Sequence, residues 1–398
     1  MEVIFNNENG KIIHGDNIAV LGGLNEAFVD SCISDFPYAI EFMSKNWDCD
    51  KNFYEWCHER ATGLVQVMKP GGYVAIFGHL KTNHRMKCAF EDAGFKIVEE
   101  IDWIYSTGMP KNQDIGKLFD KAGNKVLAEQ YYRYKTAGLK PAHEPITIFQ
   151  KHLEGTYIQN IEKYGCGAMN IDACRVLFKN GHDIQAAKAK TNFTEASDHS
   201  RGFDNGTDIY GDGNAPLGQA KCCIKDSGRF PPNVILDEYT ANLVDEQTGY
   251  SKSKQSNRGI GFSSSPVYGV GNPDFDTVRG YDDSGGGSRY FPIIKYCPKV
   301  APHERQLSNG ERNPHVTVKP VELIKWLIKL LTPKDGMTID ITAGSCTHAV
   351  ACEELNRECG YNLRWVDIEL MNTESDPYCD IGKQRVEAVN CGKPKKLF

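Results

Sequence analysis

Apolar and polar positions alternate in two different rhythms along the first 150 residues. Lys11-Ile12-Ile13-His14 is a short strand closing on Gly15-Asp16, and Asn17 is the expected N-cap of a short helix over Ile18 to Leu21. Phe28-Val29-Asp30-Ser31-Cys32-Ile33 reads as a buried strand that runs into Ser34-Asp35-Phe36-Pro37-Tyr38. Tyr54 to Met68 is a helix, with Lys69-Pro70-Gly71-Gly72 as its stop. Tyr73 to Phe77 is a strand, His84 to Ala93 a helix ended by Gly94, and Lys96 to Tyr105 another strand. Strands alternating with helices predict a parallel sheet covered on both faces.

The rhythm fades between residues 151 and 289, where glycine, serine and asparagine rise. Two ordered islands are expected there, Tyr164 to Asp172 and Gly228 to Leu236. From Gly259 to Ser288 the chain is close to low complexity, too polar to order itself alone. After Arg289 the α/β rhythm returns. Pro320 opens a helix whose apolar face is Val321, Ile324, Leu327, Ile328 and Leu331, and Thr332-Pro333 ends it. Met337 to Asp340 is a strand, Thr342 to Ser345 a tight turn, and Cys346 to Cys359 a helix closed by Gly360. Leu363 to Glu369 is a strand ending in an acid, and Asp380 to Val389 a last helix.

Composition adds constraints rather than a function. The 398 residues are 40% hydrophobic and 25% charged, as in ordinary globular chains. The start has no basic or apolar leader, and no stretch approaches the roughly 20 apolar residues of a membrane span, so a cytosolic protein is expected. The 14 cysteines are scattered, none at C-x-x-C spacing, with Cys222-Cys223 adjacent; free thiols are expected rather than a disulfide framework or a zinc knuckle. A net charge of -6 does not advertise bulk attraction to nucleic acid, so any DNA-binding charge must be gathered on one face.

Two places carry candidate chemistry. In Asp35-Phe36-Pro37-Tyr38, Pro37 stiffens a turn that bears a carboxylate, a carbonyl and two rings. The turn either fills the core with its aromatics or grips a flat, polar-edged group such as a nucleobase. The second place is the βαβ unit with Gly344 in its turn and Glu369 at the end of its second strand. The acid suits ribose hydroxyls, and the absence of G-x-G-x-x-G disfavours a pyrophosphate-bearing dinucleotide in favour of a phosphate-free adenosine ligand such as S-adenosylmethionine. A plain crossover with a solvated Glu369 is the alternative.

The chain resembles the amino-methyltransferases of DNA in their permuted beta arrangement. Asp35-Phe36-Pro37-Tyr38 is similar to their D-P-P-Y motif. Asp340 to His348 resembles the cofactor loop D-P-F-x-G-S-G-T-T, and Asn313 to Pro320 the segment N-x-H-P-T-x-K-P. Gly15-Asp16, Phe42 to Asp48, Lys140 to Pro145 and Gly287 to Phe291 also look like stretches of bacterial and phage members. The departures are Phe36 for a proline, Ile341-Thr342 for Pro-Phe, Cys346 for the loop's second glycine, and an insertion from Met371 to Asp376.

The resemblance implies an α/β fold, a Rossmann-like S-adenosylmethionine-dependent methyltransferase sheet with a large, partly irregular inserted target-recognition region. Residues 1–150 would be the catalytic half, 151–289 the target-recognition region and 290–398 the cofactor half. It implies S-adenosylmethionine as cofactor, no metal, and double-stranded DNA as partner; a homodimer is among the assemblies it allows, and a cognate restriction enzyme is not written in the chain. Asp35 and the carbonyl of Phe36 would take the two N–H groups of the target amine, Pro37 would hold the turn, and Tyr38 would stack on the extruded base. Asp16, Thr317, Lys319, Asp340, Thr342, Gly344, Ser345 and Glu369 would line the cofactor site. An acid at position 35 goes mostly with adenine N6 in the family and serine mostly with cytosine N4, so adenine is expected; an N4-cytosine enzyme and an inactive DNA-binding relative are the alternatives. If two prolines were essential to the turn, Phe36→Pro would raise the rate.

Sequence reading would fall to the middle region, where Arg175, Arg201, Lys252, Lys254 and Arg258 are candidates for DNA contact, each of them equally a solvated surface residue. His143-Glu144 lacks an H-E-x-x-H partner, so zinc is not expected there. His79, His84 and Trp47 fit either the pocket or ordinary structure.

Overall fold

A computed structural model describes residues 1–40, 52–106, 108, 110, 112–178, 227–252, 256–257, 278–279, 284–294, 307, 310–315 and 317–391. Phe42 to Asp48 with Trp47, Cys222-Cys223, Arg201, Lys254, Arg258 and the side chain of Lys252 lie outside the described residues.

The chain divides into two compact units. The first comprises Met1–Ala173, Asn233–Thr240 and Ile293–Phe398. The second comprises Cys174–Pro232 and Ala241–Pro292, so it starts later than the compositional shift at residue 151 and is interrupted by a return of the chain to the first unit.

The first unit is built on a ten-stranded sheet. β1 (Glu2–Asn6) and β2 (Gly10–His14) form an antiparallel hairpin at one edge. α1 (Asn17–Leu21) follows, then β3 (Val29–Asp35), α2 (Phe53–Val67), β4 (Met68–Phe77), α3 (Asn83–Asp92) and β5 (Phe95–Ile104). Two short helices, α4 (Ile115–Lys121) and α5 (Lys125–Gln130), precede β6 (His143–Lys151) and α6 (Tyr157–Tyr164). β7 (Val234–Asp237), at the head of α7 (Glu238–Thr248), and β12 (Ile293–Ile294) complete one edge. α8 (Val321–Leu331), β13 (Met337–Asp340), α9 (Thr347–Cys359), β14 (Arg364–Glu369) and α10 (Tyr378–Asn390) form the last third. Between β7 and β12, the second unit carries two small antiparallel pairs, β8 (Ser251–Lys252) with β11 (Ser284–Gly285) and β9 (Ser256–Asn257) with β10 (Val278–Arg279).

The sheet order is β1-β2-β14-β13-β3-β4-β6-β5-β7-β12. It is mixed rather than wholly parallel. β6 runs antiparallel between β4 and β5, because the connection from β5 turns back instead of crossing the sheet. The buried run Ile146 to Gln150 fills that central position with side chains facing both covered faces.

The order reverses between β3 and β13. β3 continues through α2 to β4 on one side; β13 continues through α9 to β14 on the other. Such a switch point leaves a crevice at the carboxyl ends of the two strands, where open α/β sheets hold ligands. Asp35 ends β3 and Asp340 ends β13.

Four local expectations are corrected. Asp16, not Asn17, caps α1, accepting from the Ala19 amide at 3.1 Å; Asn17 is the first helical residue and its side-chain amide donates to the Ile341 carbonyl at 2.9 Å. Lys69 to Gly72 is not a loop: β4 starts at Met68, and an irregularity in its ladder with β3 absorbs the Pro-Gly-Gly segment. Asp35 lies in the strand rather than past its exit, paired with Phe77. Pro320 precedes α8 as its cap residue, one position off the expected start.

The core cluster of this unit joins residues of β3, β4, α2, α3 and β13, with Phe90 stacked on Phe149 at 4.4 Å. In α8 the expected apolar face is buried, and so is Lys325, whose ammonium meets Glu322 at 3.0 Å and Glu354 at 3.1 Å. That pairing offsets the cost of burying its charge between α8 and α9.

Candidate active site

Phe36 is 2% exposed and turns away into the core. Its ring meets Trp56 edge-on at 5.1 Å and Phe90 at 6.0 Å. The side chain at this departure from the family motif is therefore a packing element, and the expectation that Phe36→Pro would raise the rate meets a structural cost. Truncating it to proline should destabilise the protein by about 3 kcal/mol, the scale of large-to-small core substitutions. Urea unfolding of Phe36→Pro checks this; an unchanged midpoint would show that the ring is not part of the core.

With Phe36 facing inward, Asp35 and Tyr38 are left in the crevice. The Asp35 carboxylate meets the Lys319 ammonium at 2.6 Å and accepts the Tyr38 hydroxyl at 3.0 Å. Glu144, near the start of β6, closes the cluster: its carboxylate lies 2.8 Å from the same ammonium and also accepts from the Tyr38 hydroxyl. Tyr38 is held further by Thr82, whose hydroxyl donates to its carbonyl at 2.9 Å, and by His79, stacked on its ring at 5.7 Å. Lys319 sits over the Phe77 ring at 4.9 Å.

The charges follow from burial and pairing. Burial pushes the Asp35 carboxyl above its ordinary value, Lys319 pulls it back, and Glu144 pushes it up again. Burial works against the charge on Lys319, but the two carboxylates outweigh it and hold the ammonium on its proton more firmly than usual. The Tyr38 hydroxyl is held well above its ordinary value by burial and the two acids, so it is a donor at neutral pH.

The second group of residues lies on β13, its turn and β14. Gly344 has φ +52°, and a Cβ there would come within 2.6 Å of the His315 imidazole. Its amide donates to Glu369 at 2.6 Å, and the other Glu369 oxygen accepts from the Met371 amide at 2.8 Å. The insertion thus supplies a donor to the acid it follows. Burial pushes the Glu369 carboxyl up to about 7, against the pull of those backbone donors. Cys346, at the family's second glycine, has φ +56°, a left-handed conformation that favours glycine; the thiol is buried beneath α10 near Gly382.

The two groups are coupled. The Thr342 hydroxyl donates to the Asp35 carbonyl at 3.0 Å and meets Ser34 at 2.7 Å; Ser34 donates to Asp340 at 2.6 Å. Burial and the neighbouring Asp367 push the Asp340 carboxyl up to about 7, with His348 pulling the other way. Behind it, His348 joins Asp367 at 2.6 Å and Thr338 at 2.9 Å, which ties α9 to β13 and β14.

A cavity of about 1030 Å³ runs along both groups. Asp16, Thr317, Asp340, Thr342, Gly344, Ser345 and Glu369 line it together with Asp35, Phe36, Pro37, Tyr38 and Lys319. Their duties differ from the expectation in two places. Lys319, assigned by resemblance to the cofactor, has its ammonium on Asp35 and Glu144 instead. Ser345 is buried and its hydroxyl serves Asn313 at 2.9 Å and Arg385 at 3.1 Å, so it braces the loop. Glu144 lies in the family-like stretch Lys140 to Pro145 and in half of a zinc motif, and neither gives it a role at Asp35; among the described residues no His, Cys, Asp and Glu cluster fits a metal.

In the second unit, Arg175 donates to the Gly228 carbonyl at 3.1 Å. Arg289, in the stretch similar to family members, is 5% exposed and donates to the Gly285 and Gly286 carbonyls at 2.6 and 2.8 Å. Its position is that of a loop brace. No helix among the described residues is long and apolar enough to cross a membrane.

A doubly wound sheet with an acid-lined crevice at its switch point, a glycine turn and a strand-end carboxylate is the arrangement of α/β folds that hold ligands at the carboxyl ends of their strands. A family model described as DNA methylase, of the N6/N4 methyltransferases, matches residues 29–383. The chain belongs to this family of S-adenosylmethionine-dependent DNA methylases. The type II methyltransferase M.HindIII of Haemophilus influenzae is 24% identical over 200 residues, which cover 40% of this chain and 64% of that protein. M.HpaI of Haemophilus parainfluenzae is 28% identical over 146 residues, 36% of this chain and 39% of that protein. The matches thus span less than two thirds of these relatives' lengths. Among solved structures, the PvuII cytosine-N4-specific DNA methyltransferase aligns over 97% of this chain and 92% of its own, with 13% identity and a TM-score of 0.47. M1.HpyAVI in complex with SAM aligns over 95% and 98%, with 14% identity and a TM-score of 0.40.

Proposed function

We propose that the protein methylates the exocyclic N6 of adenine in double-stranded DNA, at a site read by residues of the second unit, after the base has left the stack. The observation that carries this reading is the Asp35 carboxylate, held by Lys319 in the cavity that the Gly344 turn and Glu369 also line.

The exocyclic amine is a poor nucleophile because its lone pair is delocalised into the ring. Asp35 takes one N–H and the carbonyl of Phe36 the other, which localises the pair. The Lys319 contact favours the ionised form of Asp35 against burial and Glu144, and an ionised carboxylate is an acceptor only. Tyr38 supplies a ring for the extruded base, and stacking offsets the few kcal/mol of emptying its place in the duplex. The donor, when bound, supplies an electrophilic methyl group on a sulfonium. The cavity fits it: Gly344 brings no side chain into the wall beside the His315 imidazole, and Glu369 offers a carboxylate to ribose hydroxyls. Asp16, Thr317, Asp340 and Thr342 line the remainder, with Thr342 fixing the distance between the two halves. Alignment of the two bound groups provides most of the acceleration. The acid at position 35 favours adenine over cytosine.

Single-molecule sequencing of DNA from expressing cells tests the reading. N6-methyladenine at one sequence is expected, and N4-methylcytosine without N6-methyladenine would overturn the base assignment. Absence of measurable S-adenosylmethionine binding would instead favour a DNA-binding relative without transfer.

The state of Glu369 gives a separate prediction. Its folded value of about 7 lies above that of a free glutamate, so the ligand-free protein keeps a proton there that the unfolded chain has released. This group's contribution to stability is full in acid and is lost as pH rises through 7. A ligand that donates hydroxyls to the carboxylate should therefore bind about tenfold more tightly at pH 8 than at pH 6, with proton release. Calorimetry in two buffers of different ionisation heat measures that release. Glu369→Gln should weaken binding and flatten the pH dependence; an equally steep dependence in the variant would move the proton elsewhere.

A further inference from the structure

We propose that Glu144 is a positioning residue of the transfer: it shares Lys319 with Asp35, so that the cluster keeps a net negative charge beside the target amine, and through the Tyr38 hydroxyl it receives the proton that the amine sheds. This rests on the reading of the site as an amine methyltransferase.

The geometry is a bridge. Lys319 has one carboxylate at 2.6 Å and the other at 2.8 Å. Tyr38 donates to both of the same carboxylates, and its hydroxyl lies 3.2 Å from the ammonium. A single carboxylate facing Lys319 would form a neutral pair, and Asp35 would be spent on it. Two carboxylates and one ammonium leave a net charge of one negative unit in a partly buried site. Methyl transfer moves positive charge onto the amine nitrogen, so a fixed negative cluster beside that nitrogen favours the transition state over the ground state.

The amine must also lose a proton. Its lone pair forms the new N–C bond, and the electrons of the C–S bond stay on sulfur. The N–H proton passes to Asp35 and its bonding pair stays on nitrogen. Asp35 then returns that proton to the Tyr38 oxygen as the Tyr38 hydroxyl gives its own to Glu144. Glu144 ends protonated, with its side chain 15% exposed along the cavity, and releases the proton to solvent. The titratable and charged groups facing Glu144 are Asp35 from β3, Tyr38 from the turn after it, and Lys319 from the segment before α8. His79 stacks on Tyr38, and His143 adjoins Glu144 on β6.

The test compares wild type with Glu144→Gln, which keeps the shape but not the charge, and Glu144→Asp, which keeps the charge. Two quantities are read. The first is the titration midpoint of Asp35 in the ligand-free protein, followed by carboxyl NMR with labelled aspartate assigned by Asp35→Asn. Removing the neighbouring negative charge should lower it in Glu144→Gln and leave it near wild type in Glu144→Asp. The second is the single-turnover methylation rate against pH. Glu144→Gln should be about a hundredfold slower at its plateau, the range of a lost proton-transfer partner, with its acid limb moved to lower pH; Glu144→Asp should recover most of the rate. A wild type that methylates DNA, with Glu144→Gln unchanged in rate or in Asp35 midpoint, overturns the inference and leaves the function standing. A wild type that methylates no DNA overturns both.

Discussion

Asp35→Ala should lower the single-turnover methylation rate by roughly a thousandfold or more while leaving the protein folded. The loss is large because the carboxylate acts where charge develops, and removal of one such group costs about a hundred- to a thousandfold, with proton transfer adding to it. Stability should change by only about 1 kcal/mol, the net value of an ordinary polar contact. The reason is Glu144: with Asp35 gone, Lys319 keeps a carboxylate at 2.8 Å and Tyr38 keeps an acceptor. Thermal unfolding and rapid-quench methylation, run on the same preparation, check both halves. A variant that retains a tenth of the wild-type rate would remove Asp35 from the centre of the mechanism. A variant that is inactive because it is unfolded would show that the cluster cannot spare one acid.

That separation of effects depends on contacts that the chain's local pattern does not display. The pattern located the strands that carry Asp35 and Asp340 and the turn that holds Gly344, because apolar runs, Pro-Gly stops and strand-end acids are local signals. It did not show that these two strands are neighbours, since β3 and β13 pair across nearly the whole chain. Family order implied one site, and the Thr342 hydroxyl on the Asp35 carbonyl is the physical form of that link. The sequence leaves the aromatics of the turn either filling the core or gripping a base; burial beside Trp56 and Phe90 gives Phe36 to the core and leaves Tyr38 in the crevice, a division that no residue-type rule makes in an isolated loop.

Glu144 was passed over for a specific reason. The sequence places Glu144 in a stretch similar to family members and in half a zinc motif, and neither assigns it a role. The apolar run from Ile146 to Phe149 was the signal for β6, and it places Glu144 near the end of a strand that enters the crevice from the opposite direction. The contacts of Lys319 could not be read from the sequence, because a lysine's backbone position says little about where its ammonium goes. The segment Asn313 to Pro320 leads past the cofactor loop, as His315 beside Gly344 shows, but the lysine stem reaches across to Asp35, 284 positions away in the chain.

Lys319→Met is where that reach has its largest consequence. The substitution keeps most of the stem's packing over Phe77 and removes the charge. It leaves Asp35, Glu144 and the Tyr38 hydroxyl together in a partly buried site, two acids with no counter-ion from Lys319. Removing one partner of a buried pair costs about 3–5 kcal/mol, and Asp35 and Glu144 are open enough to solvent to put the value near the lower end. The cost must depend on pH. Without the ammonium both carboxylates are harder to ionise, so their folded values rise; the penalty is full above those values and disappears below about pH 4, where the unfolded chain is protonated too. The melting temperatures of wild type and Lys319→Met should therefore differ most at pH 8 and converge in acid. Activity should fall by at least a hundredfold at pH 7, because one acid of the pair retains its proton and Asp35 spends part of its time as a donor rather than an acceptor. It should partly recover toward alkaline pH, the opposite of the stability trend. A Lys319→Met protein whose deficit in melting temperature is the same at pH 5 and pH 8 would mean that the ammonium supports the site by packing alone; one whose activity falls further in alkali would mean that the amine is not activated by an ionised acid.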